Sequence, residues 1–286
     1  MDLCRLETVK SLMREANINF KKGFGQNFLI NPCVPSDIAD ACADKKEMFI
    51  LEIGPGIGCL TKELALRYEK VVAVEIDKGL IPILGKTLAD FDNIKVIEAD
   101  ILKTDLKKLI AEEAAGREAS VCANLPYYIT TPVLMYLVES GVPFRSITVM
   151  VQKEVAERLC APAGSSEYGA ITAVLGYYGK ANMLFGVSAD NFVPPPKVDS
   201  AVVRIDLYPA PLYAPKDKKL FFGLIKAAFE MRRKTLVNAI SSHYPFPKAQ
   251  IAEALASLGL AADIRGERLS TEDFCRLSDV LSPMLS

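Results

Sequence analysis

The chain has 286 residues, of which 50% are hydrophobic and 24% are charged, and its formal net charge is −1 at pH 7. This length accommodates one large domain and one small one, and the near-neutral charge requires any nucleic-acid partner to be met by a local basic patch. The one histidine, His243, argues against a histidine-based zinc site and against a Ser-His-Asp triad, so we expect no metal.

The cellular location is indicated by what the sequence lacks. The seven cysteines include no C-x-x-C pair and their number is odd, which favours reduced thiols. The N-terminus carries charged residues where a signal peptide has an apolar segment, and no stretch reaches the roughly 18 apolar residues of a membrane span. We therefore expect a cytoplasmic protein without a membrane partner.

The N-terminal part of the chain combines a helical pattern with a basic and aromatic segment. Apolar residues recur at helical spacing over residues 3–16. Residues 19–29 then bring together Lys21, Lys22, three phenylalanines and two glycines. This segment fits either an arm that its aromatic side chains pin to a domain or a cofactor lid with an edge that touches RNA. A helix is predicted next, over residues 35–43.

A short apolar run at residues 49–53 predicts a buried parallel strand. Glycines follow at alternate positions, Gly54, Gly56 and Gly58. Glycine at the turn from a strand to a helix lets the backbone approach a ligand, and the amide groups at the start of the next predicted helix, 59–68, point to the same place. The spacing alone also fits a glycine-rich turn without a ligand.

Two further predicted strands end in acidic residues. The second strand ends at Glu75, about 20 residues after the first glycine, where nucleoside-binding α/β folds place a ribose-binding carboxylate. The third ends at Asp100. Ends of successive parallel strands form one crevice. The glycine pattern differs from the dinucleotide G-x-G-x-x-G and resembles the S-adenosylmethionine site of class I methyltransferases. That resemblance implies that Gly54 packs on the methionine portion, that Glu75 binds the ribose hydroxyls and that Asp100 binds the adenine amine.

A fourth strand, 119–123, leads into the sequence Asn-Leu-Pro-Tyr at 124–127. The exocyclic amine of adenine is a poor nucleophile, so an enzyme that methylates it must localise and aim its lone pair. The side-chain oxygen of Asn124 and the backbone carbonyl of Leu125 are two acceptors for its N–H groups, and Tyr127 offers a face for base stacking. Taken alone, the motif also fits an asparagine-proline turn with two core tyrosines.

The remaining strands and helices complete an α/β pattern. Repeated βα units predict a mainly parallel sheet with helices on both faces. After the fourth strand we predict helices at 131–139, 153–159 and 170–177 and strands at 147–151, 183–187 and 201–207. The stretch before the last strand carries Phe192, a second stacking candidate or a core aromatic, and Lys197. Three prolines at 208–215 mark a linker.

A small helical domain is predicted beyond this linker. Its helices are expected at about 217–230, 233–242, 248–257 and 271–284. Residues 216–234 contain seven basic and two acidic residues, and the patch ends at Arg232, Arg233 and Lys234. Such a run is usually a solvated helix face, but it also fits phosphate contacts in a structured RNA.

From residue 19 to about 240 the chain resembles the ribosomal small-subunit RNA adenine N6,N6-dimethyltransferases. The resemblance is carried by K-x-x-G-Q-N-F-L at 22–29, N-L-P-Y at 124–127 and R-R-K-T-L at 232–236. It implies a Rossmann-like class I S-adenosylmethionine-dependent methyltransferase fold with a seven-stranded sheet at 1–207 and a helical RNA-recognition domain at 208–286. It also implies dimethylation of two adjacent adenosines in the 3′-terminal hairpin loop of 16S rRNA, on a 30S precursor during ribosome biogenesis.

The same resemblance assigns site residues by position. The cofactor, S-adenosyl-L-methionine, is expected to contact Asn27, Leu29, Gly54, Glu75, Asp100 and Asn124. The catalytic set is Asn124, Leu125, Tyr127 and Phe192. The RNA-binding set is Lys21, Lys22, Lys197, Arg232, Arg233 and Lys234. We expect a monomer.

Two alternatives remain open at this point. One is the related 23S rRNA adenine dimethyltransferase of the macrolide-resistance type, against which stand Leu125, the pair Tyr127-Tyr128 and the sequence at 198–204. The other is a non-catalytic RNA-binding assembly factor on the same fold, against which stands the intact Asn-Leu-Pro-Tyr sequence.

Overall fold

The computed structural model of the protein describes residues 1–15 and 27–285. The strands are β1 (Phe28–Leu29), β2 (Phe49–Ile53), β3 (Lys70–Glu75), β4 (Ile94–Glu98), β5 (Ala119–Asn124), β6 (Phe144–Gln152), β7 (Gly179–Val187), β8 (Phe192–Val193) and β9 (Ser200–Leu207). The α-helices are α1 (Leu6–Glu15), α2 (Cys33–Asp40), α3 (Cys59–Arg67), α4 (Ile81–Thr87), α5 (Leu106–Glu113), α6 (Thr130–Glu139), α7 (Lys153–Leu159), α8 (Ala170–Tyr178), α9 (Lys218–Glu230), α10 (Leu236–His243), α11 (Lys248–Ser257) and α12 (Thr271–Leu281).

Seven strands form one sheet in the order β4-β3-β2-β5-β6-β9-β7. The five strands from β4 to β6 pair in parallel, whereas β9 runs antiparallel to β6. This confirms the predicted α/β class and the mainly parallel seven-stranded sheet. The chain order reverses at β2, which lies between β3 and β5. Ligands of open α/β sheets bind beyond the carboxyl ends of the strands at such a reversal.

Strand β2 lies inside the sheet, between β3 and β5, and each of its residues is buried. Its Ile50 belongs to a core cluster with Ile38 of α2, Leu64 of α3 and Cys122 of β5. The turn into α3 depends on Gly58, whose φ of +94° is disfavoured for other residues. A Cβ atom there would also lie 3.0 Å from a methyl carbon of Leu88. Conformation and packing therefore both require glycine at this turn.

The structure adds elements that the sequence pattern did not predict. Helix α4 contains Pro82 and Gly85, which weaken the helical signal. Strands β1 and β8 have two residues each and pair antiparallel, with Leu29 opposite Phe192. Strand β7 begins at Gly179, four residues before the predicted start at Met183. The other predicted elements lie within a few residues of the observed ones.

The chain divides into two compact units. The first comprises Met1–Ala156 and Asn182–Pro209, and the second comprises Glu157–Ala181 and Ala210–Ser286. The contacts therefore group residues 157–181 with the C-terminal helices, whereas the domain boundary at 207/208 stays a prediction. Within the second unit, helices pack around buried residues such as Phe221 and Phe274. Over residues 1–15 and 27–285, no helix has both the length and the apolar character needed to cross a membrane.

Candidate active site

A cavity of about 330 Å³ opens beyond the carboxyl ends of β2, β3 and β5, a volume within the range of small-molecule sites. It lies within the first unit. Every residue that the sequence predicted for the cofactor or for catalysis lines it: Asn27, Leu29, Gly54, Glu75, Asp100, Asn124, Leu125, Tyr127 and Phe192. Their individual roles stay predictions, but one cavity brings them together.

The glycine turn after β2 forms one wall of this cavity. Gly54 and Gly56 have φ angles of +70° and +62°, which other residues rarely adopt. A Cβ atom on Gly54 would lie 4.0 Å from the Asn124 carbonyl oxygen, and one on Gly56 would lie 3.6 Å from the Phe28 ring. Side chains at these positions would strain the backbone and take up room in the cavity, so the turn presents backbone to a ligand.

Glu75 is held at the end of β3 by two backbone donors. Its Oε1 accepts a hydrogen bond from the N–H of Asp77 at 2.7 Å, and its Oε2 accepts one from the N–H of Gly56 at 3.3 Å. Burial raises the pKa of Glu75, and these two bonds oppose that shift. The side chain is oriented from both sides, and each oxygen keeps acceptor capacity for a ligand hydroxyl.

Glu52 is a cavity-lining residue that sequence reasoning did not assign to the site. It is 1% exposed, and within the described part of the chain neither carboxyl oxygen has a hydrogen-bond partner. Burial is the main cause that raises the pKa of Glu52 to about 8, and the negative charge of Glu75 also raises it. The nearby Thr61 hydroxyl lowers this pKa, although its geometry is not that of an ordinary hydrogen bond. The available signal was an acidic residue inside the apolar run that became β2.

Asp100 begins the short 3₁₀ turn Ile101–Lys103. Its Oδ1 accepts a hydrogen bond from the Leu102 N–H at 3.0 Å, and its Oδ2 lies 3.4 Å from the Lys103 ammonium. The exposed side chain of Ile76 also lines the cavity, with 53% of its surface accessible. An acceptor with an apolar neighbour on the cavity wall fits a flat ring that carries an amine.

The end of β5 carries two acceptors. Within residues 1–15 and 27–285, the side-chain amide of Asn124 makes no hydrogen bond, and no donor reaches the backbone carbonyl of Leu125. The Leu125 side chain is 2% exposed and anchors the turn in the core. The two acceptors are therefore open to a ligand in the cavity.

Two aromatic side chains line the same cavity as these acceptors. The Tyr127 hydroxyl lies 2.9 Å from the hydroxyl of Ser200, the first residue of β9. Burial raises the pKa of Tyr127, which keeps the phenol neutral at physiological pH. Phe192 is 3% exposed and is held opposite Leu29 by the pairing of β1 with β8. Both rings line the cavity and are fixed by neighbouring strands.

Of the predicted RNA-binding residues that the structure describes, none lines this cavity. Lys21 and Lys22 lie outside the described residues. Lys197 is exposed on the first unit. Arg233 and Lys234 are exposed on the second unit, and Arg232 has internal partners there.

The guanidinium of Arg232 donates hydrogen bonds to the carbonyls of Ser166 at 3.0 Å and Tyr168 at 3.3 Å, and it lies 3.4 Å from a Glu267 carboxylate oxygen. These contacts assign Arg232 a part in the packing of the second unit, whatever it does for RNA.

Three features together define a Rossmann-like class I S-adenosylmethionine-dependent methyltransferase. They are the reversal of strand order at β2, the glycine turn after β2, and the acidic residues Glu75 at the end of β3 and Asp100 just after β4. The sequence matches the family model for ribosomal RNA adenine dimethylase over residues 17–282. The chain belongs to that family.

Named relatives extend along nearly the whole chain. The chain is 43% identical to ribosomal RNA small subunit methyltransferase A of Alkaliphilus oremlandii over 96% of both chains. It is 42% identical to the protein of that name from Geobacillus thermodenitrificans, over 99% of this chain and 98% of the relative.

Two solved structures are similar to the fold. A dimethyladenosine transferase from Plasmodium falciparum aligns with a TM-score of 0.75 and 27% identity, over 89% of this chain and 97% of the other. The 23S rRNA methyltransferase ErmE aligns with a TM-score of 0.71 and 25% identity, over 90% of this chain and 100% of the other.

The cofactor of this family, S-adenosyl-L-methionine, fits the residues that line the cavity. It carries an ammonium group and a sulfonium, and the buried Glu52 carboxyl has no partner among residues 1–15 and 27–285. The bare backbone of Gly54 and Gly56 lines the same cavity as that carboxyl. A ligand with a positive charge, hydroxyls and an amine offers partners for the acceptors that line this cavity, namely Glu52, Glu75 and Asp100.

Proposed function

We propose that the protein dimethylates the N6 amines of two adjacent adenosines in the 3′-terminal hairpin loop of 16S rRNA, as a cytoplasmic monomer acting on a precursor of the 30S subunit. Relatives 42–45% identical over nearly the full chain are named small-subunit methyltransferases, which supports this substrate. The observation that carries the chemistry is the pair of open acceptors at Asn124 and Leu125, in one cavity with Glu75.

The open acceptors suit an aromatic amine. Its lone pair is delocalised into the ring, and hydrogen bonds from both N–H groups to Asn124 Oδ1 and to the Leu125 carbonyl localise it and aim it into the cavity. S-adenosylmethionine, when bound, supplies an electrophilic methyl group. With the lone pair aimed by Asn124 and Leu125, the new N–C bond would form as the methyl group leaves the donor sulfur, and the amine would then release its proton to water. The protein contributes position and electrostatics rather than a strong base.

The target adenine must leave its stack in the RNA to reach these acceptors. Tyr127 and Phe192 then serve as its stacking surfaces, since base–aromatic contacts are worth about 1–3 kcal/mol each. The Tyr127 hydroxyl is hydrogen-bonded to Ser200, and Phe192 is held by the pairing of β8 with β1. The two rings therefore lose little conformational entropy when a base binds. This arrangement receives a flipped base with its amine towards the cofactor.

Sequence identity separates the small-subunit enzyme from the large-subunit alternative better than similarity of fold does. ErmE and the dimethyladenosine transferase have TM-scores of 0.71 and 0.75, so backbone similarity hardly separates them. Identity to ErmE is 25%, against 42–45% for the relatives named small-subunit methyltransferases. We therefore favour the small-subunit substrate.

One assay tests this proposal against both alternatives. Hypomethylated 30S and 50S particles are incubated with methyl-labelled cofactor and enzyme, and the labelled RNA is mapped by reverse-transcription stops and nucleoside mass spectrometry. We expect dimethyladenosine at two adjacent positions near the 3′ end of 16S rRNA. Label in 23S rRNA instead identifies the large-subunit enzyme, and binding without label identifies the assembly factor. Asn124→Ala is the matched negative control.

A further inference from the structure

Two cysteines line a second cavity, whose lining includes none of the residues assigned to chemistry. Cys4 is 7% exposed, and Cys59 is the half-buried first residue of α3. Both line a cavity of about 260 Å³, together with Lys62, Glu63 and the N-terminal residues. Both cysteines therefore border one small cavity.

The N-terminal segment is fastened to α3 at this place. The Cys59 thiol donates a hydrogen bond to the Leu3 carbonyl at 3.2 Å, and the Lys62 ammonium donates one to the Met1 carbonyl at 3.2 Å. The Leu3 contact brings the Cys59 sulfur to the peptide group that joins Leu3 to Cys4, and each thiol shifts the pKa of the other. The two cysteines are thus held side by side, although 54 residues separate them along the chain.

We propose that Cys4 and Cys59 are a peroxide-sensitive dithiol that closes to a disulfide and thereby weakens cofactor binding. Cys59 links the two properties because it lines both cavities, the N-terminal one and the one that holds the predicted cofactor residues. It directly follows Gly58 of the glycine turn. A covalent bond to Cys4 would constrain the Cys59 side chain at the first turn of α3, directly after that glycine turn.

The surroundings of the two thiols shift their pKa values in opposite directions. The neighbouring thiol and Lys62 lower the pKa of Cys4, whereas Asp2, Glu63 and burial act in the opposite direction. The contact with Cys4 and burial raise the pKa of Cys59. Cys4 is therefore the better nucleophile of the two, because the thiolate is the reactive form.

The chemistry is balanced by hydrogen peroxide as the oxidant. The Cys4 thiolate attacks one peroxide oxygen, the O–O bond breaks, and hydroxide leaves, so that Cys4 becomes a sulfenic acid. The Cys59 sulfur then attacks the Cys4 sulfur, the S–O bond breaks, and water leaves. The sum is two thiols and one peroxide giving one disulfide and two waters, and a dithiol reductant reverses it by thiol–disulfide exchange.

The chain contains two comparisons for this site. Burial and the neighbouring Cys42 raise the pKa of Cys122, and both of these cysteines are fully buried in the core. Cys33 is exposed and serves as an accessible thiol. Selective oxidation of the first pair therefore depends on access and thiolate character rather than on proximity alone.

The linkage is mapped on the reduced full-length protein after peroxide treatment, alkylation of remaining thiols and non-reducing tryptic digestion. The expected product joins the peptide 1–5 to the peptide 47–62, each of which contains one cysteine. Cys4→Ser should abolish it and Cys33→Ser should retain it, while Cys42 and Cys122 are recovered alkylated. If Cys4 and Cys59 are recovered alkylated at a dose that oxidises Cys33, the proposed dithiol is wrong.

Calorimetry with S-adenosylmethionine tests the consequence. We expect the oxidised protein to bind at least threefold more weakly, with affinity restored by dithiothreitol, and Cys4→Ser to be insensitive to peroxide. By reciprocity, saturating cofactor should lower the yield of the linked peptide. Equal affinity of the oxidised and reduced protein overturns the coupling. The mapping does not involve RNA, so its failure is distinct from a failure of the proposed substrate.

Discussion

The hydroxyl of Tyr127 and the hydroxyl of Ser200 lie 2.9 Å apart. Tyr127 follows β5, whereas Ser200 is the fully buried first residue of β9. The bond therefore ties a cavity-lining ring to a different strand of the same sheet. A stacking surface in a fixed orientation reduces the ordering that a flipped base must impose on binding.

Ser200→Ala should lower kcat by up to about tenfold, because a buried hydrogen bond is worth about 0.5–1.5 kcal/mol and 1.4 kcal/mol corresponds to tenfold in rate. Cofactor affinity should stay within twofold. Tyr127→Phe removes the same bond and keeps the ring, so it should give the same loss, and the double variant should lose little more. Wild-type turnover of Tyr127→Phe would show that the bond does not position the ring.

Patterns within single strands and their spacing made the part of the cavity around Gly54, Glu75 and Asp100 predictable. The apolar run before Gly54, the spacing to Glu75 and the acid at Asp100 placed three strand ends in one crevice, because parallel strands share an edge. Glu52 was missed because its burial depends on β2 lying between β3 and β5 inside the sheet, and a local pattern does not reveal the strand order. The buried environment that raises its pKa is made by residues far away in sequence.

The pairing of β1 with β8 was missed because it joins two-residue strands more than 160 positions apart. Local patterns do not register such pairs, although this one fixes Leu29 opposite Phe192. The basic patch shows the converse limit. From the composition of residues 216–234, Arg232 was predicted to bind RNA like its basic neighbours. In the fold, its guanidinium instead donates hydrogen bonds to two backbone carbonyls.

Glu52→Gln should stabilise the cofactor-free protein at pH 8 and above. The folded pKa of about 8 exceeds the unfolded value near 4.5, so the native state keeps a proton that the unfolded state releases between these values. Stability therefore falls as pH rises through that window. Glutamine carries no such penalty, and its advantage should be several kcal/mol at pH 8.5 and should shrink towards pH 4.5. Denaturant unfolding of both proteins across this range measures it; an unchanged difference would contradict a buried neutral carboxyl.

Glu75→Ala should weaken binding of S-adenosylmethionine. The loss of a charge-assisted hydrogen bond to a hydroxyl costs about 1.5–3 kcal/mol, and the N–H groups of Gly56 and Asp77 also lose their acceptor. Calorimetry checks the affinity. Glu98→Ala is the matched control, because Glu98 lies opposite Glu75 in the β3–β4 register but forms an exposed ion pair with Lys78. If the two variants bind alike, Glu75 is not the ribose ligand.

The basic residues at the end of the patch should separate into two classes. Arg232→Ala should lower the melting temperature, because two carbonyls and Glu267 lose their donor, a loss of about 1–3 kcal/mol. The pair Arg233→Ala and Lys234→Ala should leave melting unchanged, weaken binding to 30S particles and reduce the salt dependence of that binding. Thermal denaturation and binding at three salt concentrations measure both. An unchanged salt slope in the double variant would leave these exposed charges as a solvated face.

Asn124→Ala should abolish most turnover and spare the fold. The hypothesis is that Asn124 orients the target amine, and it is motivated by the free side-chain amide at the end of β5, beside the open carbonyl of Leu125. Loss of a hydrogen bond made in the transition state costs roughly a hundredfold in rate or more. Because the side chain makes no hydrogen bond to residues 1–15 or 27–285, its removal should cost little stability.

The dimethyl product sharpens the measurement on Asn124. After the first transfer the amine has one N–H left, so one of the two acceptors must give way to a methyl group, and the second transfer should depend less on having both. In single-turnover experiments on 30S particles at saturating cofactor, Asn124→Ala should therefore slow the first methylation more than the second. Asn124→Asp keeps an acceptor oxygen and should recover part of the first rate. If the first rate of Asn124→Ala stays within a fewfold of wild type, Asn124 does not orient the amine, and the acceptor must be sought at Leu125 alone.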